Sequence, residues 1–505
     1  MTRIDERVST HVYKVKRISK EEMESIAGVC VYDQSPFCNA ACPLKLDVKA
    51  MLKAAAENDF KKAFKIYESI APFPLILSAG CGAPCEEKCR LCELGDGIAI
   101  GDIERAVALS GGAGEKRSIF RVRKKKKAAV FGSGLFALLL AGELEKKGYP
   151  VTAICGEADE EEYLRVAAGF LREDDFYTEL KRLRGKDIAF EFNAEMTREL
   201  FEEKRGGFDV LCASEKAALD IFPGAVRDEG IMLMESEGLL TGGGETVLEA
   251  ALGARKAALT ADRLAQGIDP RSARGEEGPV TSRLYTNPDL ARGLIRIKGC
   301  ESGYTREQAA EEAGRCMQCH CDECLRGCAY LRRFNKHPGL LSREIYNNTQ
   351  IIMGDHPLNR AMNACALCGQ CTVTCPHGFD MAHVCRTARE NMVDTDKMPL
   401  AAHEFALLDM LFSNGEAYLC RKQPGHSHCR YVFFPGCQAA AIAPEAVIAA
   451  YEDLCTRLKG GVALMLGCCG AIAHWAGRGE MYGEVRDKIA AELAALEDLS
   501  LIHIS

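Results

Sequence analysis

Along "DVKAMLKAAAENDFKKAFKIYESI" (47–70) apolar residues recur every three or four positions, which predicts helix. The pattern changes in "KKKKAAVFGSGLFALLLAGELEKKGYPVTAICGE" (124–157). There a short apolar run enters a glycine turn, a long apolar helix follows, and a second short apolar run comes after it. This reads as strand, turn, helix, strand. Residues 171–260 continue in an α/β manner and close on a helix in "TVLEAALGARKAALTADRL" (246–264). "GGAGEK" at 111–116 and a charged, Gly/Pro-containing stretch over roughly 265–310 read as linkers. Helix-like sequence separates the cysteine clusters between 315 and 395. An α/β pattern resumes near 430 and runs into the helix "YGEVRDKIAAELAALEDL" (482–499).

The balance of 47% hydrophobic and 27% charged residues in 505 is that of ordinary globular domains, and the length allows three or more of them. A net charge of −8 argues against nucleic acid as a partner. The basic run at 122–127 reads as a solvated strand entry. No apolar run is long enough to span a bilayer, and "MTRIDERVSTHVYKVKR" does not read as a signal peptide, so a cytoplasmic home is expected.

Cysteine changes the picture. There are 26, and nineteen lie in short clusters. In a chain of this size without a secretion signal, clustered thiols point to metal ligation or redox chemistry rather than disulfides. Cys155, Cys212 and Cys455 stand apart and read as core residues. The run "CALCGQCTVTCP" sets Cys365, Cys368, Cys371 and Cys375 before Pro376 in the C-x2-C-x2-C-x3-C-P spacing of cubane 4Fe–4S ferredoxins. Three closely spaced thiolates wrap one face of a cube, and the fourth leaves for a second cluster. "CMQCHCDECLRGC" supplies the partner run. Cys321, Cys324 and Cys328 fit its last three positions, but Gln318 occupies the first, leaving Cys316 or Cys319 to substitute. Structural zinc is the alternative for either run.

Two runs some forty residues apart, with helix between them, resemble the helical ferredoxin module of the heterodisulfide reductase C subunit. The N-terminal cysteines are Cys30, Cys38, Cys42, Cys81, Cys85, Cys89 and Cys92. "FCNAACPLKLDV", "CGAPCEEKC" and "AIGDIERAV" resemble the N-terminal iron–sulfur domain of the glutamate synthase small subunit and dihydropyrimidine dehydrogenase. That resemblance implies two cubane clusters, with one cluster and spare thiols as the runner-up. Asp33 stands where the pattern has a cysteine, so Asp33, Glu104 or Cys92 is left to complete the set.

"FFPGC" ends in Cys437, and "GCCG" carries the adjacent pair Cys468 and Cys469. Adjacent cysteines bridge each other only with strain, so two thiolates offered to metal is the better reading. These stretches resemble the cysteine-rich CCG domain of the heterodisulfide reductase B subunit, which implies a non-cubane cluster or zinc. That motif continues with a C-x-x-C which, counted from Cys469, falls near residue 503. "LSLIHIS" (499–505) resembles a translated sequencing-library adaptor, so it is expected to be non-native and the CCG domain partial.

Gly132, Ser133, Gly134 and Ala137 form a G-x-G-x-x-A turn between strand and helix. Its glycines admit a tight turn and close approach of a pyrophosphate at the helix N-terminus. With "TGGGET", containing Gly243 and Thr246, it resembles the flavin domain of the glutamate synthase small subunit over roughly 30–265. FAD is the implied cofactor, with a nicotinamide nucleotide or a degenerate domain as alternatives. Cys155 replaces the acidic residue at the end of the second strand, and no room remains for an inserted NAD(P)H domain.

The expected fold class is therefore multidomain α/β and α. A helical iron–sulfur domain (1–120) precedes a Rossmann-like FAD/NAD(P)-type domain (121–268) and a linker (269–312). A helical two-cluster ferredoxin (313–397), a partial CCG domain (398–498) and the tail (499–505) follow. The expected function is an iron–sulfur flavoprotein oxidoreductase working between electron-donor and electron-acceptor proteins or a small redox substrate, the acceptor at the CCG site being a disulfide by analogy. A non-enzymatic electron-transfer subunit and a zinc scaffold are the alternatives. No catalytic residue is assigned.

Overall fold

A computed structural model describes residues 19–111, 123–272, 274–299, 303–399 and 401–496, with the backbone of 500–503. The linker read at 111–116 lies, beyond Gly111, outside the described residues. The chain forms two compact units. The first is Gln34–Cys321. The second joins the segment ending at Asp33 to the chain from Asp322 onward.

The first unit opens with helices. The stretch expected to be helical over 47–70 is two helices, Val48–Ala56 and Phe60–Glu68. Asn58, at φ +59°, breaks the path between them. Asp47 and Asp59 then cap the two N-termini, accepting from the Ala50 and Lys62 amides. Val48, Met51, Leu52, Phe60, Ala63 and Tyr67 bury one face. Helices Pro74–Gly80 and Ile100–Ser110 complete the bundle, and Arg306–Gly314 returns to it from much later in the chain.

The bundle shares its core with a six-stranded sheet. The strands are β1 (Ala128–Phe131), β2 (Val151–Ile154), β3 (Ile188–Glu191), β4 (Val210–Ser214), β5 (Leu233–Met234) and β6 (Leu239–Gly242). Their order is β3-β2-β1-β4-β6-β5, parallel except for the β5–β6 hairpin. Val130 at the centre faces Ala153 on one side and Cys212 on the other. Helices Leu135–Lys146 and Val247–Gln266 pack together beside it. Gly142 is required there, since a methyl group would stand 2.8 Å from Pro72 and 2.9 Å from Phe73.

In the second unit, helices Lys20–Ala27, Pro338–Gln350 and Met381–Asp394 surround two short cysteine-bearing helices, Glu323–Gly327 and Gln370–Thr374. A four-stranded sheet follows, built from β7 (Leu419–Arg421), β8 (Tyr431–Phe434), β9 (Val462–Leu466) and β10 (Ser500–His503), in the order β10-β8-β9-β7. The backbone of "SLIH", within the stretch read as a non-native tail, thus pairs in parallel with β8. No helix of the described residues is long and apolar enough to cross a membrane.

Candidate functional site

Thiols converge in several places, and the groupings cut across their order along the chain. In the first unit Cys42, Cys81 and Cys85 gather around Glu104. Cys42 follows helix Phe37–Ala41, and its sulfur accepts a bond from the Leu46 amide at 3.4 Å. Cys81 and Cys85 flank a turn in which Gly82 (φ +67°) and Ala83 (φ +45°) are left-handed. Glu104 projects from helix Ile100–Ser110 and is buried. Burial, aided by the charge of Glu86, pushes its carboxyl up to about 8, while the Tyr67 hydroxyl beside it works the other way. Burial and the Glu104 charge push the Cys81 thiol up to about 12.

A second group joins Cys38 and Cys89 to Cys316 and Cys319. All four line one pocket, otherwise mostly apolar, with Phe37, Leu52, Leu91, Ile98 and Met317 among its walls. The Cys316–Cys319 loop is closed by Gln318 at φ +50°, whose side-chain amide donates to the Cys316 sulfur (3.4 Å) and the Lys49 carbonyl (3.3 Å). Lys49 Nζ donates to the Cys319 carbonyl at 3.0 Å. Burial pushes Cys316 up to about 11. Cys92 is exposed, with its thiol donating to the Glu86 carbonyl at 3.4 Å. Cys321 is the last residue of this unit and is half-buried.

In the second unit the two cysteine-bearing helices mirror each other. Cys324 and Cys371 are buried near their starts. Cys328 and Cys375 end them, each amide donating back to the earlier cysteine's carbonyl, at 2.9 and 3.0 Å. Gly327 lets them touch, since a methyl group there would stand 2.9 Å from Thr374. Leu367, at φ +55°, turns the Cys365–Cys368 loop as Gln318 turns its own. Cys368 is exposed at the rim. Cys30, read from sequence with Cys38 and Cys42, instead packs in this unit against the same core as Cys324, Cys371 and Cys375. Gly339 admits it: a methyl group at that glycine would lie 2.9 Å from the Cys30 β-carbon.

Sequence reading passed over Cys385. It is buried on helix Met381–Asp394, and a bond from its thiol, helped by Arg389, holds the neighbouring Cys365 thiol below its ordinary range. No spacing rule singles out one cysteine inside an amphipathic helix. Arg389 is itself buried, donating to the carbonyls of Met362 (2.8 Å), Cys365 and Trp475 (2.5 Å).

Cys437 follows β8 and the pair Cys468–Cys469 follows β9, so the three thiols meet at the carboxyl ends of neighbouring parallel strands. Cys468 is buried and Cys469 exposed. Asn414 holds the pair, accepting from the Cys468 amide (2.9 Å) and donating to its carbonyl (3.1 Å).

The G-x-G-x-x-A turn between β1 and helix Leu135–Lys146 is formed. Gly132 (φ +83°) is crowded, since a methyl group would stand 2.5 Å from Ser214 Oγ. Gly134 (φ +98°) opens on free space. Ser133 sits between them half-buried, and Ala137 is buried against the sheet. The other expected flavin contacts are occupied. The Glu215 carboxylate fills the space over Gly243. Thr246 is engaged in a capping box with Glu249, whose carboxylate takes the amides of Glu245 and Thr246. Cys155, just past the end of β2, and Cys212, within β4, are buried, and Cys455 is half-buried.

Among the described residues no three His, Cys, Asp or Glu side chains are arranged to hold a single metal ion. A cubane needs its ligands spread around a cube, wider than the roughly 3.8 Å between sulfurs on one tetrahedral zinc.

Comparison with known proteins defines the class. Residues 7–112 match the family described as dihydropyrimidine dehydrogenase domain II, 4Fe-4S cluster, and residues 315–380 match the 4Fe-4S dicluster domain family. The chain thus carries iron–sulfur domains of the 4Fe–4S type, and its curated relatives are oxidoreductase subunits. It is 28% identical over 230 residues to the NADPH-Fe(3+) oxidoreductase subunit beta of Geobacter sulfurreducens (43% of this chain, 33% of that one). It is 28% identical over 159 residues to the NADP(+)-dependent formate dehydrogenase subunit beta of Moorella thermoacetica (26% and 21%). To the NADPH glutamate synthase small chain of Azospirillum brasilense it is 29% identical over 146 residues (27% and 29%). The chain spans a third or less of the length of these relatives.

Proposed function

We propose that this chain is an electron-transfer subunit of an iron–sulfur flavoprotein oxidoreductase, passing electrons through several 4Fe–4S clusters between a reduced donor and an acceptor at the Cys437/Cys468/Cys469 site. The observation that carries the reading is the paired helices of the second unit. Each bears a buried cysteine and is followed at its C-terminus by another, the C-x3-C step whose last cysteine, in the cubane pattern, serves a second cluster. In this reading Cys365, Cys368 and Cys371 hold one cube, and Cys328 crosses to it from the partner run. Cys375 crosses the other way. In the first unit Cys42, Cys81 and Cys85 hold a further cube, with Glu104 in the fourth place.

FAD is proposed at the Gly132–Gly134 turn, with its pyrophosphate at the N-terminus of helix Leu135–Lys146. A flavin supplies the exchange between paired and single electrons, while the chain binds and tunes it. The relatives' names carry NADPH or NADP(+), and a partner subunit that handles nicotinamide fits a chain with one nucleotide turn. A second reading has its own support. Glu215 over Gly243 and Glu249 at the helix N-terminus put carboxylates where an anionic cofactor would lie. They favour a sheet kept as scaffold, with chemistry done by a partner. Anaerobic purification followed by acid extraction separates the two. Released flavin near one per chain supports the first, and its absence, with iron and acid-labile sulfide retained, supports the second. A colourless protein after reconstitution, free of iron and sulfide, overturns both.

A further inference from the structure

Two interruptions in the cysteine pattern are complementary. The N-terminal run has Asp33 in place of a cysteine, and the run at 316–328 has Gln318. Each has a cysteine at three of the four expected positions, and the second run carries Cys316 and Cys319 off that spacing. In the first unit Cys38 and Cys89 share one pocket with Cys316 and Cys319, sulfurs from opposite ends of that unit's sequence. In the second unit Cys30 packs into the core that holds Cys324 and Cys375. From these placements we infer that the two runs have exchanged ligands. Cys316 and Cys319 complete the cube of Cys38 and Cys89, and Cys30 supplies the ligand that Gln318 cannot give beside Cys324 and Cys375. The inference rests on the iron–sulfur reading above and assigns its ligands.

The surroundings suit the exchange. Gln318 is not a failed ligand. Its left-handed backbone closes the Cys316–Cys319 loop, and its amide bonds one of the two sulfurs. Lys49 brings a positive charge onto the Cys319 carbonyl at 3.0 Å, offsetting the negative charge that four thiolates collect. At the other end, Gly339 is the one residue type that lets Cys30 approach helix Pro338–Gln350, because any β-carbon there would lie 3.0 Å from the Ala27 carbonyl as well.

The test is non-additivity in the full chain, reconstituted anaerobically and read as iron, acid-labile sulfide and the resonance spectrum of the reduced clusters. Cys316→Ala with Cys319→Ala should remove about four irons, one cube's worth, and adding Cys38→Ala should remove no more. Cys30→Ala with Cys375→Ala should likewise cost about four irons, whereas Cys30→Ala with Cys38→Ala should cost about eight. Cys92→Ala, outside both groups, should keep the full complement. A triple variant of Cys38, Cys316 and Cys319 that loses about eight irons overturns the assignment. A second measurement needs no variant. Under limiting oxidant, thiols freed from one cube accept alkylating label together, so Cys38, Cys89, Cys316 and Cys319 should label as a group. Labelling of Cys316 and Cys319 in step with Cys324 and Cys375 instead overturns the exchange. Unmutated protein that takes up no iron sinks the iron–sulfur reading itself, a different result from either.

Discussion

Glu104 concentrates the chemistry of the first unit in one side chain. Buried among Cys42, Cys81 and Cys85, it is held protonated near neutral pH when no metal is bound, its carboxyl at about 8 against an ordinary 4.5. The folded apo-protein therefore binds a proton that the unfolded chain gives up. Its stability should be greatest below pH 4.5 with respect to this group and fall as pH rises through about 8. Urea titrations of metal-free protein at pH 5 to 9 should show that slope, and Glu104→Gln should flatten it. In the reconstituted protein Glu104→Ala should lose one cube's iron and Glu104→Cys should keep it. The thiols act on apo stability with the same sign, whereas their uptake of iron has the opposite dependence. Cys81 near 12 and Cys316 near 11 carry protons at neutral pH that iron must displace. Reconstitution should run faster at pH 9 than at pH 7 and release protons, measurable by calorimetry in buffers of different ionisation heat. Spacing made these thiols legible, since C-x2-C and C-x3-C are local signals. It left Glu104 as one of three options, because only folding shows that its helix points it at the cysteines.

Helix Ile100–Ser110, which presents Glu104, is held at its N-terminus by carboxylates from other elements. Glu312 accepts from the Ala99 amide at 3.0 Å, and Glu86 accepts from the Gly101 amide at 2.8 Å. Each supplies negative charge where the helix leaves amides unpaired. Glu312 also takes the Ile297 amide at 2.9 Å and pairs with buried Arg315 at 2.6 Å. Glu312→Ala strands that guanidinium and should cost about 3–5 kcal/mol in chemical denaturation. Glu312→Gln, which keeps an acceptor, should cost less. The β1–turn–helix element was readable because a glycine turn is written in neighbouring residues. Gly132→Ala, crowded by Ser214 and bound to a positive φ, should destabilise the fold. Gly134→Ala meets no atom but carries the same left-handed strain at φ +98°, so it should also destabilise the fold, by less than Gly132→Ala. The helical stretch read over 47–70 is divided because "ENDF" carries a cap as well as continuing the apolar period, and the cap prevailed.

At the scale of the molecule, the two 4Fe–4S segments were legible from their motifs, but which thiols pack together was not. Spacing says which cysteines are neighbours along the chain. It is silent on which meet across hundreds of residues, and that is decided by how helix Arg306–Gly314 packs back onto the N-terminal bundle. The domain edges read from composition near 120 and 312 differ from the compact units, whose borders at Asp33 and Cys321 fall inside the cysteine runs. Arg389 shows what long-range packing can add within one unit. Its guanidinium is rigid and planar and keeps its charge across the physiological range. It grips the carbonyl of Cys365 with one nitrogen and that of Trp475 with another. The Cys365–Cys368 turn and helix Ala471–Trp475, which follows the GCCG loop, are therefore coupled like two bearings on one crankshaft. If the first shifts when an electron arrives, the second feels torque without any proton changing hands.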